Sequence, residues 1–370
     1  MSSEKEQITI NSHGLACSSR VRAIDLFCGA GGLTHGLEAA GLDVAFGVDT
    51  DAHCAYPYAA NNRAEFRHMS VADLDASECR EVLAEKPYSL IAGCAPCQTF
   101  STYQQGRYGP SDERWNLLQE FGRLVEVVQP HFVTMENVPR LSDQDVFHEF
   151  VERLHGAGYR FWYDVVNSAD YGVPQQRNRL VLLASQLGPI KLIGPTTPEG
   201  NRVTVREAIE ELEPIEAGEI AARDRMHQAS RLSELNLARI KASRPGGTWR
   251  EWPPELVASC HTKPTGKTYP GVYGRMVWDE PAPTMTTQFY GFGNGRFGHP
   301  EQDRAISLRE GAILQSFPET YEFVEKSAPL HIKTVGRLIG NAVPVNLGKA
   351  IGQSIYEHVQ DYEAAEDSAA

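Results

Sequence analysis

The chemistry of this sequence is best approached from a cysteine held at the end of an apolar run. Residues 88–93 (YSLIAG) carry no charge and have the length of a buried strand. The run breaks abruptly into Cys94-Ala95-Pro96-Cys97-Gln98. A thiol just past a strand's carboxyl end in an α/β protein sits where such sheets bind their ligands. Pro96 restricts the backbone ahead of Cys97 and so presents the sulfur in a set direction. That suits a nucleophile. Two other readings compete: a small buried hydrophobe, and a redox or zinc pair formed by Cys94-x-x-Cys97. Zinc is disfavoured because no second such pair exists, and Cys260 and His261 are sequence neighbours, awkward for one tetrahedral site. Glu136 follows the apolar Phe132 to Met135 and would face the same crevice, although taken alone it reads as an exposed loop carboxylate.

The elements that must position these groups can be read from the pattern around them. Val21 to Phe27 is a strand candidate, and Cys28-Gly29-Ala30-Gly31-Gly32 turns from it into a helical pattern over Leu33 to Ala40. Glycines there permit a tight turn and close backbone approach, with the helix's free N–H groups facing the ligand. Val44 to Val48 is a second strand ending in Asp49, a carboxylate placed to accept hydrogen bonds from ribose hydroxyls. A Gly-rich turn with an acidic residue about 20 positions on points to a nucleoside-containing cofactor. The spacing is not GxGxxG, which disfavours a dinucleotide.

Residues 52–61, 77–85, 114–128 and 146–154 carry helical patterns, alternating with strand candidates at 66–71, 132–135, 160–166 and 180–184. Seven strands alternating with helices over residues 21–185 define a doubly wound α/β domain. Residues 99–112 have almost no aliphatic side chains, as in a functional loop. After Ser185 the chain becomes rich in Pro, Gly and Thr, with helix-like stretches at 203–212 and 230–242, the character of a recognition module. Further helices are expected at 308–315 and within 334–359, and the acidic tail after Asp361 reads as disordered.

The 370 residues are 41% hydrophobic, enough for two domains with cores. No run approaches transmembrane length or resembles a secretory signal. Seven scattered cysteines suit a reducing, cytoplasmic setting. The net charge of −13 is unevenly spread: residues 231–278 hold eight Lys/Arg against three Glu, so this segment is +5 and the remainder −18. One basic segment on an acidic body is a candidate phosphate-binding face, against the commoner reading of a solvated surface.

Taken in order, these pieces resemble the DNA (cytosine-5)-methyltransferase family, in particular its prokaryotic modification enzymes. The resemblance is carried by Asp25-Leu26-Phe27-Cys28-Gly29-Ala30-Gly31-Gly32, Pro96-Cys97-Gln98, Glu136-Asn137-Val138, Gln175-x-Arg177-x-Arg179, Arg309-Glu310 with Gln315-x-Phe317-Pro318, and Gly340-Asn341-x-Val343. It implies a mostly parallel seven-stranded S-adenosylmethionine-dependent sheet domain built from residues 1–187 and 334–370, with a loop-rich target-recognition domain, 188–333, inserted. One departure stands out: the family's acidic residue after the third strand, near the adenine, is replaced here by Ser70 or Val71, with Asp73 slightly beyond.

The resemblance further implies S-adenosylmethionine as cofactor. Phe27 would lie near the adenine, Gly29, Gly31 and Gly32 in the cofactor loop, Asp49 on the ribose and Asn341 at the methionine end. It implies Cys97 as the nucleophile, Glu136 bound to the base, and Arg177 or Arg179 as a cation favouring the thiolate. Double-stranded DNA would be the substrate, with Gln98, Ser101 and Gln104 as DNA contacts, Gln104 a candidate to fill the space the flipped base vacates, and Arg250, Lys263, Lys267 and Arg275 on phosphates. A cognate restriction endonuclease would be the partner. Methylation of transfer RNA on the same scaffold and a thiol–disulfide oxidoreductase using Cys94 and Cys97 are the alternatives. The long 188–300 region argues against the first, and the second requires Cys94 for activity where the methyltransferase reading requires only Cys97. A non-catalytic DNA-binding module would leave Cys97, Glu136 and the cofactor loop together without a purpose.

Overall fold

The computed structural model describes residues 19–96, 115–263 and 268–369. Its centre is a seven-stranded sheet in the order β3-β2-β1-β4-β5-β7-β6. The strands are β1 (Val21–Leu26), β2 (Asp43–Asp49), β3 (Glu65–His68), β4 (Tyr88–Gly93), β5 (Phe132–Asn137), β6 (Arg160–Asn167) and β7 (Asn178–Ser185). β1 pairs in parallel with β2 and β4, and β4 in parallel with β5. β7 enters antiparallel between β5 and β6, so the sheet is mixed at one side only. The order reverses between β1 and β4, and the carboxyl ends flanking that switch are where open α/β sheets bind ligands.

The central strands are apolar along their length because both of their faces are covered. Ile24 and Leu26 of β1 belong to the core beneath α3 (Ala76–Leu83), α4 (Trp115–Val128) and α5 (Asp145–Gly156), together with Phe121, Leu124, Phe147 and Phe150. Val21 and Ala23 face the opposite way, toward Leu33 and Leu37 of α1 (Gly32–Ala39) and Leu347, Ile351 and Ile355 of α10 (Val345–Ala369). The period of two in β1 thus separates the two cores. The short α2 (Ala55–Asn61) connects β2 to β3.

The C-terminal return packs very closely. A side chain at Gly36 of α1 would place Cβ 2.4 Å from the Val345 carbonyl oxygen and 2.5 Å from the Lys349 nitrogen, and one at Gly352 would come within 2.6 Å of the Ala40 Cβ. Only glycine lets these backbones approach so far. α10 continues to Ala369, so the tail after Asp361 is helical where the sequence suggests disorder. The Glu363 carboxylate pairs with Arg20 at 2.8 Å, and helix-forming Ala and Glu dominate the segment.

Residues 188–333 hold the short helices α6 (Val205–Ile209), α7 (Glu234–Ala242) and α8 (Leu308–Leu314), joined by 3-10 turns and isolated β-bridges. Ser307 caps α8 in a reciprocal arrangement with Glu310, whose buried carboxylate receives both terminal nitrogens of Arg304 at 2.7 Å. α8 lies with α9 (Ile332–Asn341) in an apolar cluster that includes Ala30, Phe317 and Tyr321, which binds this region to the cofactor-loop end of the sheet. Among the described residues no helix is long and apolar enough to cross a membrane.

Gly36→Ala is expected to lower the free energy of unfolding by about 1–3 kcal/mol, because the obstructing atoms are backbone. Chemical denaturation of the two proteins measures it.

Candidate active site

The carboxyl ends of β1, β2, β4 and β5 define one crevice. At the end of β1 the chain leaves the β region at once: Phe27 has φ 60°, Gly29 φ 53° and Gly31 φ 90°. A phenylalanine in the left-handed region costs about 1–3 kcal/mol, so the surroundings must hold it there. Cys28 N–H donates to the Val48 carbonyl at 3.0 Å, and Gly29 N–H donates to Asp49 Oδ2 at 2.9 Å. The second Asp49 oxygen accepts from Asp51 N–H at 2.8 Å. Two backbone donors therefore fix the carboxylate while leaving it lone pairs. Burial raises the Asp49 pKa, partly offset by these N–H groups. Asp51 in turn pairs with Arg337 of α9 at 2.5 Å, tying the C-terminal segment to the end of β2.

The glycines of this turn divide by role. Beyond Gly29 there is open space, whereas a Cβ on Gly31 would lie 2.4 Å from Asn62 Nδ2 and one on Gly32 2.3 Å from the Val343 carbonyl oxygen. Of the three, only Gly29 has open space where a Cβ would stand. Gly31 and Gly32, expected to serve cofactor approach, are required by packing inside the protein. Asn341 is the exposed last residue of α9. Ser70 accepts a hydrogen bond from Ala72 N–H and caps a 3-10 turn, and Asp73 is exposed.

Beneath the loop Asp25 is buried. Thr34 Oγ1 donates to its Oδ2 at 2.7 Å, while Oδ1 has no partner. Burial, opposed by the Thr34 hydrogen bond and reinforced by Asp49, pushes its pKa up to about 7.

At the other half of the crevice, Glu136 lies within β5, paired with Val181 of β7, and is 3% exposed. It is a buried strand residue, where the sequence in isolation favours an exposed loop carboxylate. Its Oε2 accepts a hydrogen bond from the Cys94 thiol at 3.1 Å. Arg179 Nε lies 2.8 Å from its Oε1, yet its N–H is not directed along that line and Oε1 accepts no hydrogen bond. Asn137 Nδ2 donates to the Ala95 carbonyl at 3.0 Å, fastening the turn that leads into Pro96 and Cys97. Cys97, Gln98, Ser101, Gln104 and Lys267 lie outside the described residues.

One expected role is corrected, that of Arg275. Arg177 is buried, with its guanidinium donating to the carbonyls of Met285 at 3.0 Å and Gly340 at 3.1 Å. It holds three segments together, and its charge also acts on Glu136 and Cys94, while Arg179 pairs with Glu136 directly. Arg275 is 5% exposed. It donates to the carbonyls of Ile240, Ser243, His299 and Gln302 and pairs with Asp303, leaving it no reach toward phosphate. Arg250, whose guanidinium carbon lies 5.4 Å from the centre of the Trp249 ring, and Lys263 are exposed. Tyr269 is also exposed, whereas Tyr273 packs edge-on against Trp252 and Phe292.

Sequence reasoning assigned no role to Asn137, Asp51 or Arg337, and gave Cys94 one only as half of a redox pair. Asn137 carried a usable signal, a side-chain amide at the end of a strand next to the cysteine strand. The Asp51–Arg337 pair spans 286 residues and had none.

Comparison with known proteins agrees with this geometry. The family model for C-5 cytosine-specific DNA methylases matches residues 21–357. The Type II methylase M.HgiDII of Herpetosiphon aurantiacus is 51% identical over 337 residues, 90% of this chain and 94% of that protein. The Type II methyltransferase M1.HphI of Haemophilus parahaemolyticus is 31% identical, over 90% of this chain and 86% of its own length. In fold, the chain is similar to a crystal structure from E. coli described as a prophage-encoded DNA modification methyltransferase (TM-score 0.70, 22% identity, 92% of this chain and 99% of that one). The chain belongs to the C-5 cytosine-specific DNA methylase family. It is a DNA (cytosine-5)-methyltransferase, and the chemistry of that family depends on S-adenosylmethionine.

Two expectations follow from the buried charges. Asp25 gains protons on folding, so the stability it contributes is present below about pH 4 and lost as pH rises toward 7. Asp25→Asn should flatten the fall in unfolding free energy between pH 4.5 and 7.5, measured by urea denaturation. Arg275→Ala should cost about 3 kcal/mol of stability by stranding Asp303 and four carbonyls, while leaving the salt dependence of DNA binding by the folded fraction unchanged.

Proposed function

We propose that the protein methylates carbon 5 of one cytosine within a specific double-stranded sequence, through a covalent adduct of Cys97 with a flipped-out base. What supports this reading is Glu136 Oε1, a buried carboxylate oxygen without a hydrogen-bond donor. Glu136 stands one residue before the asparagine that fastens the Cys97 turn. A buried acceptor left bare is costly, and a base amine in the crevice would satisfy it.

The cofactor fits the residues at the other half. Gly29 leaves the approach open, the Asp49 carboxylate is oriented by two N–H groups, and Phe27 offers an apolar ring beside them. Phe27, Gly29 and Asp49 would hold S-adenosylmethionine, with Asn341 returning from α9. When bound, the cofactor supplies an electrophilic methyl group. Carbon 5 of cytosine is a weak nucleophile, which sets the task of the protein's own residues. Cys97, as thiolate, forms a bond to carbon 6, and the π electrons of the 5,6 double bond become available at carbon 5. Glu136 holds a proton at N3 and accepts from the exocyclic amine, offsetting the charge that develops. Arg179 offers the positive charge nearest to Glu136. Once the carbon-5 proton has left, the same sulfur departs with its bonding pair and the double bond returns.

The base must leave the duplex to reach this crevice. Residues 188–333 would form the recognition domain, inserted into a catalytic domain of 1–187 and 334–370. Exposed Arg250 and Lys263 are suited to phosphate contacts, as Lys267 would be, and Gln98, Ser101 and Gln104 would contact the DNA, Gln104 as a candidate for the space the base vacates. The names of its relatives as Type II methyltransferases support a role as the modification enzyme of a restriction–modification system with a cognate endonuclease.

Bisulfite sequencing of plasmid DNA from a methylation-free host expressing the protein tests the reading. Cytosines protected within one recurring sequence are expected. Protection should vanish with Cys97→Ala and fall on the order of a hundredfold in rate with Glu136→Gln. Full protection with Cys97→Ala would rule out the covalent route.

A further inference from the structure

The Glu136 carboxylate receives a single aligned hydrogen bond from the described residues, and its donor is Cys94. Cys94 is the first residue past β4. Its own N–H donates to the Leu26 carbonyl at 3.2 Å, so the backbone that carries the thiol is fixed to β1. The preceding Gly93 is equally constrained, since a Cβ there would lie 2.9 Å from the same carbonyl oxygen. The half-buried sulfur is therefore delivered to Oε2 by the sheet itself. The opposite oxygen has Arg179 Nε at 2.8 Å but no aligned donor.

A carboxylate turns about a broad, nearly two-fold terminal torsion. One hydrogen bond to one oxygen fixes the plane of the group and distinguishes its two oxygens. We propose that Cys94 is a positioning residue for cytosine methylation: its thiol holds Glu136 through one lone pair of Oε2, so that Oε1 is the oxygen turned to the exocyclic amine of the base. This inference rests on the reading in which Glu136 contacts the base. It also gives Cys94 a purpose that needs neither a metal nor a disulfide with Cys97.

The test compares Cys94→Val, which keeps the approximate volume and removes the donor, with Cys94→Ser, which keeps a donor. Single-turnover methyl transfer to a duplex containing the protected sequence is measured with labelled S-adenosylmethionine, alongside the KM for cofactor and the melting temperature. Cys94→Val should lose about tenfold in rate, the worth of one hydrogen bond to a charged group, with KM within about twofold of wild type. Cys94→Ser should recover most of the rate. If Cys94→Val melts early, Cys94→Ala takes its place in the comparison. Equal rates for donor and non-donor variants, whether fast or slow, overturn the proposal, since packing alone would then account for the residue. Glu136→Gln is run in parallel. A wild-type rate from that variant would remove the reading beneath the proposal, whereas a slow Glu136→Gln beside a fast Cys94→Val would overturn the Cys94 role alone.

Discussion

A single buried guanidinium holds the architecture together. Arg177 leaves the sheet just before β7 and donates to Met285 on one side and to the end of α9 on the other. Gln175 beside it accepts from Met285 N–H and donates to Leu314 and Gln315, and Gln315 donates to Ile339. An unpaired cation in such a place would be expensive, so its partners must all be present together. Carbonyls at a helix end are short of donors in the same way. The two deficits cancel only when the sheet, the inserted region and the C-terminal helices are all docked. The orientation of the inserted region relative to the crevice thus depends on a junction that either forms completely or leaves charge and carbonyls stranded.

The crevice is assembled on a related principle, with backbone groups used as clamps on side chains. Asp49 is fixed by two N–H groups, Asn137 grips the Ala95 carbonyl, and Cys94 is anchored through its own amide. Each clamp comes from a strand end or from within three residues of one, where the sheet's rigidity is inherited but the ladder no longer consumes the hydrogen-bonding groups. Geometry of this kind is more precise than a site carried on loops.

Much of this could be read from the sequence, and the parts that could not share a cause. Strand and helix positions followed from local periodicity because the sheet is covered on both faces, which leaves long apolar runs such as 88–93 and 180–184. Glu136, Asp49 and Gly29 were legible because chemical type and position at a strand end coincide. Arg275 was misassigned because a buried and an exposed arginine look alike in sequence. What separates them is five or so acceptors gathered from distant segments. The helical tail was missed because an acidic, alanine-rich stretch suits both a solvated helix and a disordered end, and the Arg20–Glu363 pair is a tertiary contact. The glycines of the first turn show the converse: their presence was read correctly, but whether each faces ligand or protein depends on Asn62 and Val343.

The glycine-lined contact between α1 and α10 bears on how the protein comes into being. α1 and the strands it covers are synthesised before the helix that shields the same apolar surface, which follows some 300 residues later. On the ribosome, Leu33, Leu37 and their neighbours must wait uncovered while the whole inserted region is made. Contacts of such long sequence separation form slowly and leave partly folded chains prone to association. Chains interrupted before Val345 would carry all the motifs of the crevice yet lack one wall of its core. Closure of this face of the sheet therefore waits on the synthesis of α10.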